Sequence, residues 1–118
     1  MTVTEHERRA GAMSYGSFEL TTLTPHLGAE VVGLDLSQPL DERQLRDLHQ
    51  AFADWSVLVF RDQHLDRQAH KAVGRYFGDL HVHPMNHARE TDPEILIVKT
   101  TKDSPYTAGD AWHTDVTC

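Results

Sequence analysis

Apolar and polar residues change rhythm several times along the chain, and each rhythm predicts an element. Residues 18–23 alternate, with Phe18, Leu20 and Thr22 on one side, as in a half-buried strand. Pro25 and Gly28 mark a turn, and Val31, Val32, Leu34 and Leu36 define a second extended segment over 29–36, so the two predict a hairpin. A helix is predicted over 41–55. Asp41 is its cap, Gln44 completes a capping box, and Leu40 and Leu45 have the spacing of a hydrophobic staple. Leu45, Leu48, Phe52 and Trp55 then form one apolar stripe that reads as core. Residues 57–60 are a continuous apolar run, the pattern of a buried strand.

A second helix is predicted from Asp66, carrying Ala69, Ala72, Val73, Tyr76 and Phe77 on one side, with Gly78 just past its end. A short extended piece over 80–83 ends at Pro84. Residues 95–98 read as an apolar strand, 100–111 as a polar loop, and 112–118 as a closing strand. The order β-β-α-β-α-β-β, with no glycine-rich phosphate loop, favours an α+β class over a doubly wound sheet. Residues 1–16 show no periodicity and are expected to be a flexible leader.

A length of 118 residues suits one small domain, and 39% apolar with 25% charged residues is ordinary for a globular chain. The net charge of −7, with the basic residues scattered among acids, argues against a nucleic-acid partner. No apolar run nears the roughly 18 residues of a membrane helix, and the N-terminus lacks a signal-peptide core. A cytoplasmic location without a membrane partner is the expectation. The single cysteine, Cys118, has no internal disulfide partner and no neighbouring cation in sequence to activate it.

Candidate chemistry lies in the histidines. His113 and Asp115 stand two apart in a segment predicted to be extended, so both side chains project to one face. Together they supply two thirds of a 2-His-1-carboxylate set, the ligand pattern of non-haem Fe(II) oxygenases. With nine histidines in the chain, about one His-x-Asp match is expected by chance. A second match, His64-Leu65-Asp66, is better explained by Asp66 as a helix cap. His81-Val82-His83, with His87 nearby, is another pair that a metal could share, or a pair in a cleft wall with one ring hydrogen-bonding an anion. Asn86 adds an uncharged donor and acceptor to the same loop. Trp112 reads as a packing residue.

Five stretches in order carry a family resemblance: Leu27-Gly28-Ala29-Glu30-Val31, Gly33-Leu34-Asp35-Leu36, residues 57–63 (Val-Leu-Val-Phe-Arg-Asp-Gln), residues 77–84 (Phe-Gly-Asp-Leu-His-Val-His-Pro) and Trp112-His113-Thr114-Asp115-Val116-Thr117. Together they resemble the N-terminal part of the taurine dioxygenase (TauD/TfdA) family, enzymes that depend on Fe(II), 2-oxoglutarate and O2.

The resemblance implies a double-stranded β-helix (jelly-roll) core with flanking helices, of which residues 17–118 are the first part of one domain. It implies His113 and Asp115 as two iron ligands, with a third ligand and a 2-oxoglutarate-binding arginine in sequence beyond this stretch. On that expectation the isolated stretch is an incomplete, inactive fragment. The partner would be a small anionic organic substrate, contacted by His83, Asn86 and Val116, and a homo-oligomer is compatible with the family. His83 matches the histidine that meets the sulfonate in taurine enzymes. Asn86 stands where those enzymes carry tyrosine, Gly109 where they carry asparagine, and Cys118 replaces a phenylalanine. These departures widen the expected substrate to another sulfonate, an alkyl sulfate ester or a carboxylate such as an aryloxyacetate. A non-catalytic binding domain is the alternative from another class.

Overall fold

The computed structural model describes residues 15–84, 91–105 and 111–114. The chain forms two units, residues 1–80 and 81–118. The first holds all the strands and α-helices among the described residues: β1 (Glu19–Thr22), β2 (Ala29–Val32), α1 (Glu42–Trp55), β3 (Leu58–Phe60) and α2 (Arg67–Arg75). The sheet order is β1-β2-β3. β1 and β2 pair antiparallel with Leu20 opposite Val31, and β2 and β3 pair parallel with Val31 opposite Phe60. The predicted hairpin is present, and a parallel crossover through α1 comes after it.

α1 begins as its sequence dictates. The Asp41 Oδ1 accepts from the Gln44 amide at 2.8 Å, and the Gln44 Oε1 accepts from the Asp41 amide at 3.0 Å, a complete capping box. It ends at Ser56, which takes a left-handed conformation at φ 64°. That reversal aims the last carbonyls at the sheet. The Gly28 amide donates to Trp55 O at 2.8 Å, and the Ala29 amide donates to Val57 O at 2.9 Å. The helix end is thereby satisfied by the strand that starts beside it.

The helix covers one face of the sheet. Leu20, Ala29 and Val31 from the strands meet Leu48, Ala51 and Trp55 from α1 in a single buried cluster with Leu34, Leu36, Tyr15 and Phe18. Leu48 is fully buried, worth about 1.5–3 kcal/mol relative to exposure.

Several expectations change. Phe52 is 46% exposed and Ala51 takes the buried place in the stripe. The Phe52 ring instead meets Phe77 edge-on at 5.3 Å, beyond the end of α2. β2 stops four residues earlier than predicted because Gly33 turns the chain at φ 87°. Past that point a side chain replaces the ladder. Gln63 accepts from the Leu36 amide at 2.8 Å and donates to Leu34 O at 3.1 Å. β3 is half-buried rather than fully buried, having one partner strand among the described residues.

The predicted leader also gives way at its end. Tyr15 is a core residue, stacked on Phe18 at 5.4 Å, and its hydroxyl donates to Asp54 Oδ2 at 2.7 Å. Ser17 donates from both its amide and its hydroxyl to Asp47 Oδ2, at 3.0 and 2.7 Å. Two α1 carboxylates thus fasten 15–17 to the helix. Residues 1–14 lie outside the described residues.

In the second unit no strand forms among the described residues. The pieces predicted over 80–83 and 95–98 form no strand, and Leu96, Ile97 and Val98 are exposed, Val98 at 63%. Ile95 closes a turn, its amide donating to Asp92 O at 3.0 Å. A strand is held by its partner's backbone, and β-propensity alone does not make one. Residues 112–114 likewise form no strand, and 115–117 lie outside the described residues. No helix among the described residues is long and apolar enough to cross a membrane.

The clasp at Tyr15 has a pH signature. Burial, then the hydrogen bond to the Asp54 carboxylate, push the Tyr15 phenol from 10.0 up to about 12. Folding therefore favours the protonated phenol. Its contribution to stability is complete below pH 10 and is lost as pH rises through about 12. In a near-ultraviolet tyrosinate titration, Tyr15→Phe should remove the last-ionising component. A component unchanged by that substitution would refute the assignment.

Candidate functional site

Of the residues proposed as iron ligands, His113 is described and Asp115 lies outside the described residues. The His113 Nδ1 sits 2.8 Å from Ala111 O. A carbonyl only accepts, so Nδ1 carries the proton in this contact, and in the neutral ring the lone pair is on Nε2. Metal-binding histidines are commonly held this way, with the non-ligating nitrogen donating to a carbonyl or carboxylate. An imidazole nitrogen beside a carboxylate two residues on is a donor set suited to iron(II). In donor type, His113 and Asp115 fit the ion. Among the described residues alone there is no group of three His, Cys, Asp or Glu able to hold a metal.

Trp112 is fully exposed and does not pack as predicted. Among the described residues no strand forms beside it to cover the indole.

His83 is half-buried and its ring stands perpendicular to that of His81, with centroids 6.4 Å apart. Asn86 and Val116, the other residues expected to meet substrate, lie outside the described residues, as do His87, Gly109 and Cys118. His83 and His113 belong to the same unit, 81–118.

The competing pair resolves as structural. Asp66 caps α2, its Oδ1 accepting from the Ala69 amide at 2.8 Å. His64 is exposed at the edge of a cleft of about 410 Å³ that Asp35 and Asp62 also line. The Ser37 hydroxyl and amide donate to Asp35 and hold its carboxyl below the usual carboxylate range. Sequence reading missed Gln63 and Tyr15 as organising residues. Only their neighbours signalled them, a buried run before Gln63 and an alternating one after Tyr15.

The model of the family described as "Taurine catabolism dioxygenase TauD, TfdA family" matches residues 19–118, nearly the whole chain. The chain belongs to the TauD/TfdA family. An alkylsulfatase from Acinetobacter baylyi is 33% identical over 100 residues, covering 84% of this chain and 31% of that protein. An alpha-ketoglutarate-dependent sulfonate dioxygenase from Saccharomyces cerevisiae is 30% identical over 112 residues, covering 86% of this chain and 27% of that protein. The crystal structure of a taurine dioxygenase from Burkholderia xenovorans superposes with a TM-score of 0.54 at 33% identity, over 56% of this chain and 24% of that one. The chain therefore spans about a third or less of the length of these TauD/TfdA relatives.

The roles of the two His-x-Asp pairs separate experimentally. Asp66→Ala should lower stability by about 1 kcal/mol through loss of the cap, while His64→Ala leaves stability and metal binding unchanged. Thermal unfolding and metal titration of the full-length protein check this. A loss of metal in His64→Ala would overturn the assignment.

Proposed function

We propose that the protein containing this chain is an Fe(II)- and 2-oxoglutarate-dependent dioxygenase that hydroxylates a small anionic organic compound, a sulfonate or an alkyl sulfate. The observation that carries this is the match of the TauD/TfdA model through the stretch that holds His113, whose Nδ1 is tied to a backbone carbonyl as a metal ligand's would be. The A. baylyi alkylsulfatase and the S. cerevisiae sulfonate dioxygenase support the substrate class. The fold proposed for the whole domain is a jelly roll, with the exposed apolar runs at 96–98 and 112 supplying strands to it.

Iron with 2-oxoglutarate and O2 supplies the oxidation: one oxygen atom enters a substrate C–H bond, the other enters succinate, and CO2 is released. The residues of this chain hold and orient. His113 presents Nε2 with its tautomer set by Ala111 O, and Asp115 contributes a carboxylate whose negative charge offsets that of the ion. His83 donates a hydrogen bond to the anionic head of the substrate and fixes which carbon faces the metal; Asn86 and Val116 complete that wall. Hydroxylation of a carbon bearing a sulfonate or sulfate group gives an adduct that collapses to the carbonyl compound and sulfite or sulfate.

In the full-length protein under anaerobic conditions, Fe(II) with 2-oxoglutarate should give a visible charge-transfer band. His113→Ala and Asp115→Ala should each abolish it, and an unchanged band in either would remove that ligand. Substrate-dependent succinate release should be seen with sulfonates or sulfate esters ahead of carboxylates. His83→Ala should raise KM for the active anion by about tenfold or more, the worth of a charge-assisted hydrogen bond. Release driven only by carboxylates would reject the substrate class.

A further inference from the structure

We propose that His81 and His83 form a second, two-histidine site for a borderline divalent cation such as Zn2+, separate from the pair His113 and Asp115. The backbone favours it. The residue before a proline is pushed to extended conformations, so Pro84 holds His83 extended, and side chains at i and i+2 of extended chain project to one side. The two rings do meet, edge to face, with centroids 6.4 Å apart. Imidazoles that share one tetrahedral zinc through bonds of about 2.0–2.1 Å have centroids about 5 Å apart. Rotation about the two side-chain bonds of the exposed His81 closes that difference. His83 has other interactions within the chain, so coordination exchanges one set of contacts for another.

Two neutral imidazoles without a carboxylate suit zinc or copper, whereas a mixed imidazole and carboxylate set is the one that non-haem iron(II) takes. With two protein ligands and water completing the shell, the site is weak and reversible. Its consequence rests on the proposed function: a cation on His83 withdraws the donor that meets the anionic substrate. Zinc bound there raises KM for the anion.

The test is a Zn2+ titration of the full-length protein followed by NMR of its histidine rings. The His81 and His83 resonances should both move. In His81→Ala the His83 shift should require about tenfold more Zn2+ or more, while the His113 shift is unchanged. Rings of 81 and 83 that stay still while His113 moves would overturn the site, as would a His83 shift that survives unchanged in His81→Ala. This readout needs no turnover, so its failure is distinct from failure of the dioxygenase reading, which succinate release tests. A competitive effect of Zn2+ on KM that is weakened in His81→Ala supports the inhibitory role. Inhibition equal in the two proteins overturns it.

Discussion

The carbonyl of Trp55 is the joint on which the first unit turns. It accepts from the Gly28 amide where the helix stops, and Val57 O accepts from Ala29 two residues on. These two bonds bring the end of α1, the start of β2 and the start of β3 to one place. Everything buried depends on that convergence. With the helix end anchored there, its Leu48, Ala51 and Trp55 face lies over Leu20, Ala29 and Val31. Gln63 makes a similar junction at the opposite end of the strands, where Gly33 has ended the ladder. Each junction is made by polar groups that would otherwise be unsatisfied beside the core.

The second unit obeys the same rule from the other side. Its apolar run at 95–98 has the content of a strand but forms none, so residues such as Ile97 and Val98 lie at the surface. His83 and His113, proposed above to meet substrate and iron, both belong to this unit. The arrangement has a physical logic, since a metal site assembled from separated ligands is rigid only when the strands bearing them are paired. What His113 has locally is its orientation, set by a carbonyl two residues before it.

Much was legible beforehand where the determining interaction is local. The capping box at Asp41 and Gln44, the cap at Asp66 and the β1-β2 hairpin each depend on residues a few positions apart, and each is present. The structural role of Asp66 in His64-x-Asp66 was legible for the same reason, because a capping aspartate is recognised by the helical residues after it. Phe52 was not. At helical spacing it is indistinguishable from a core residue, and only the direction from which the sheet meets α1 selects Ala51 instead. Tyr15 was missed because its partner, Asp54, lies 39 residues away.

By itself, the sequence determined where helices begin, that Gly28 lies in a turn, and which family the chain resembles. Each of these rests on short-range sterics or on residue chemistry carried in the side chain itself. Tertiary structure decided which face of α1 is inside, that a glutamine amide continues the sheet beyond Gly33, and that the runs at 95–98 and 112–114 are not strands in this chain. The closing stretch began as two ligand-type residues at strand spacing. The structure sharpens it to a histidine with its tautomer set by Ala111 O. The reason is common to all three decisions: burial and pairing are properties of two segments at once, and neither segment's sequence contains the other.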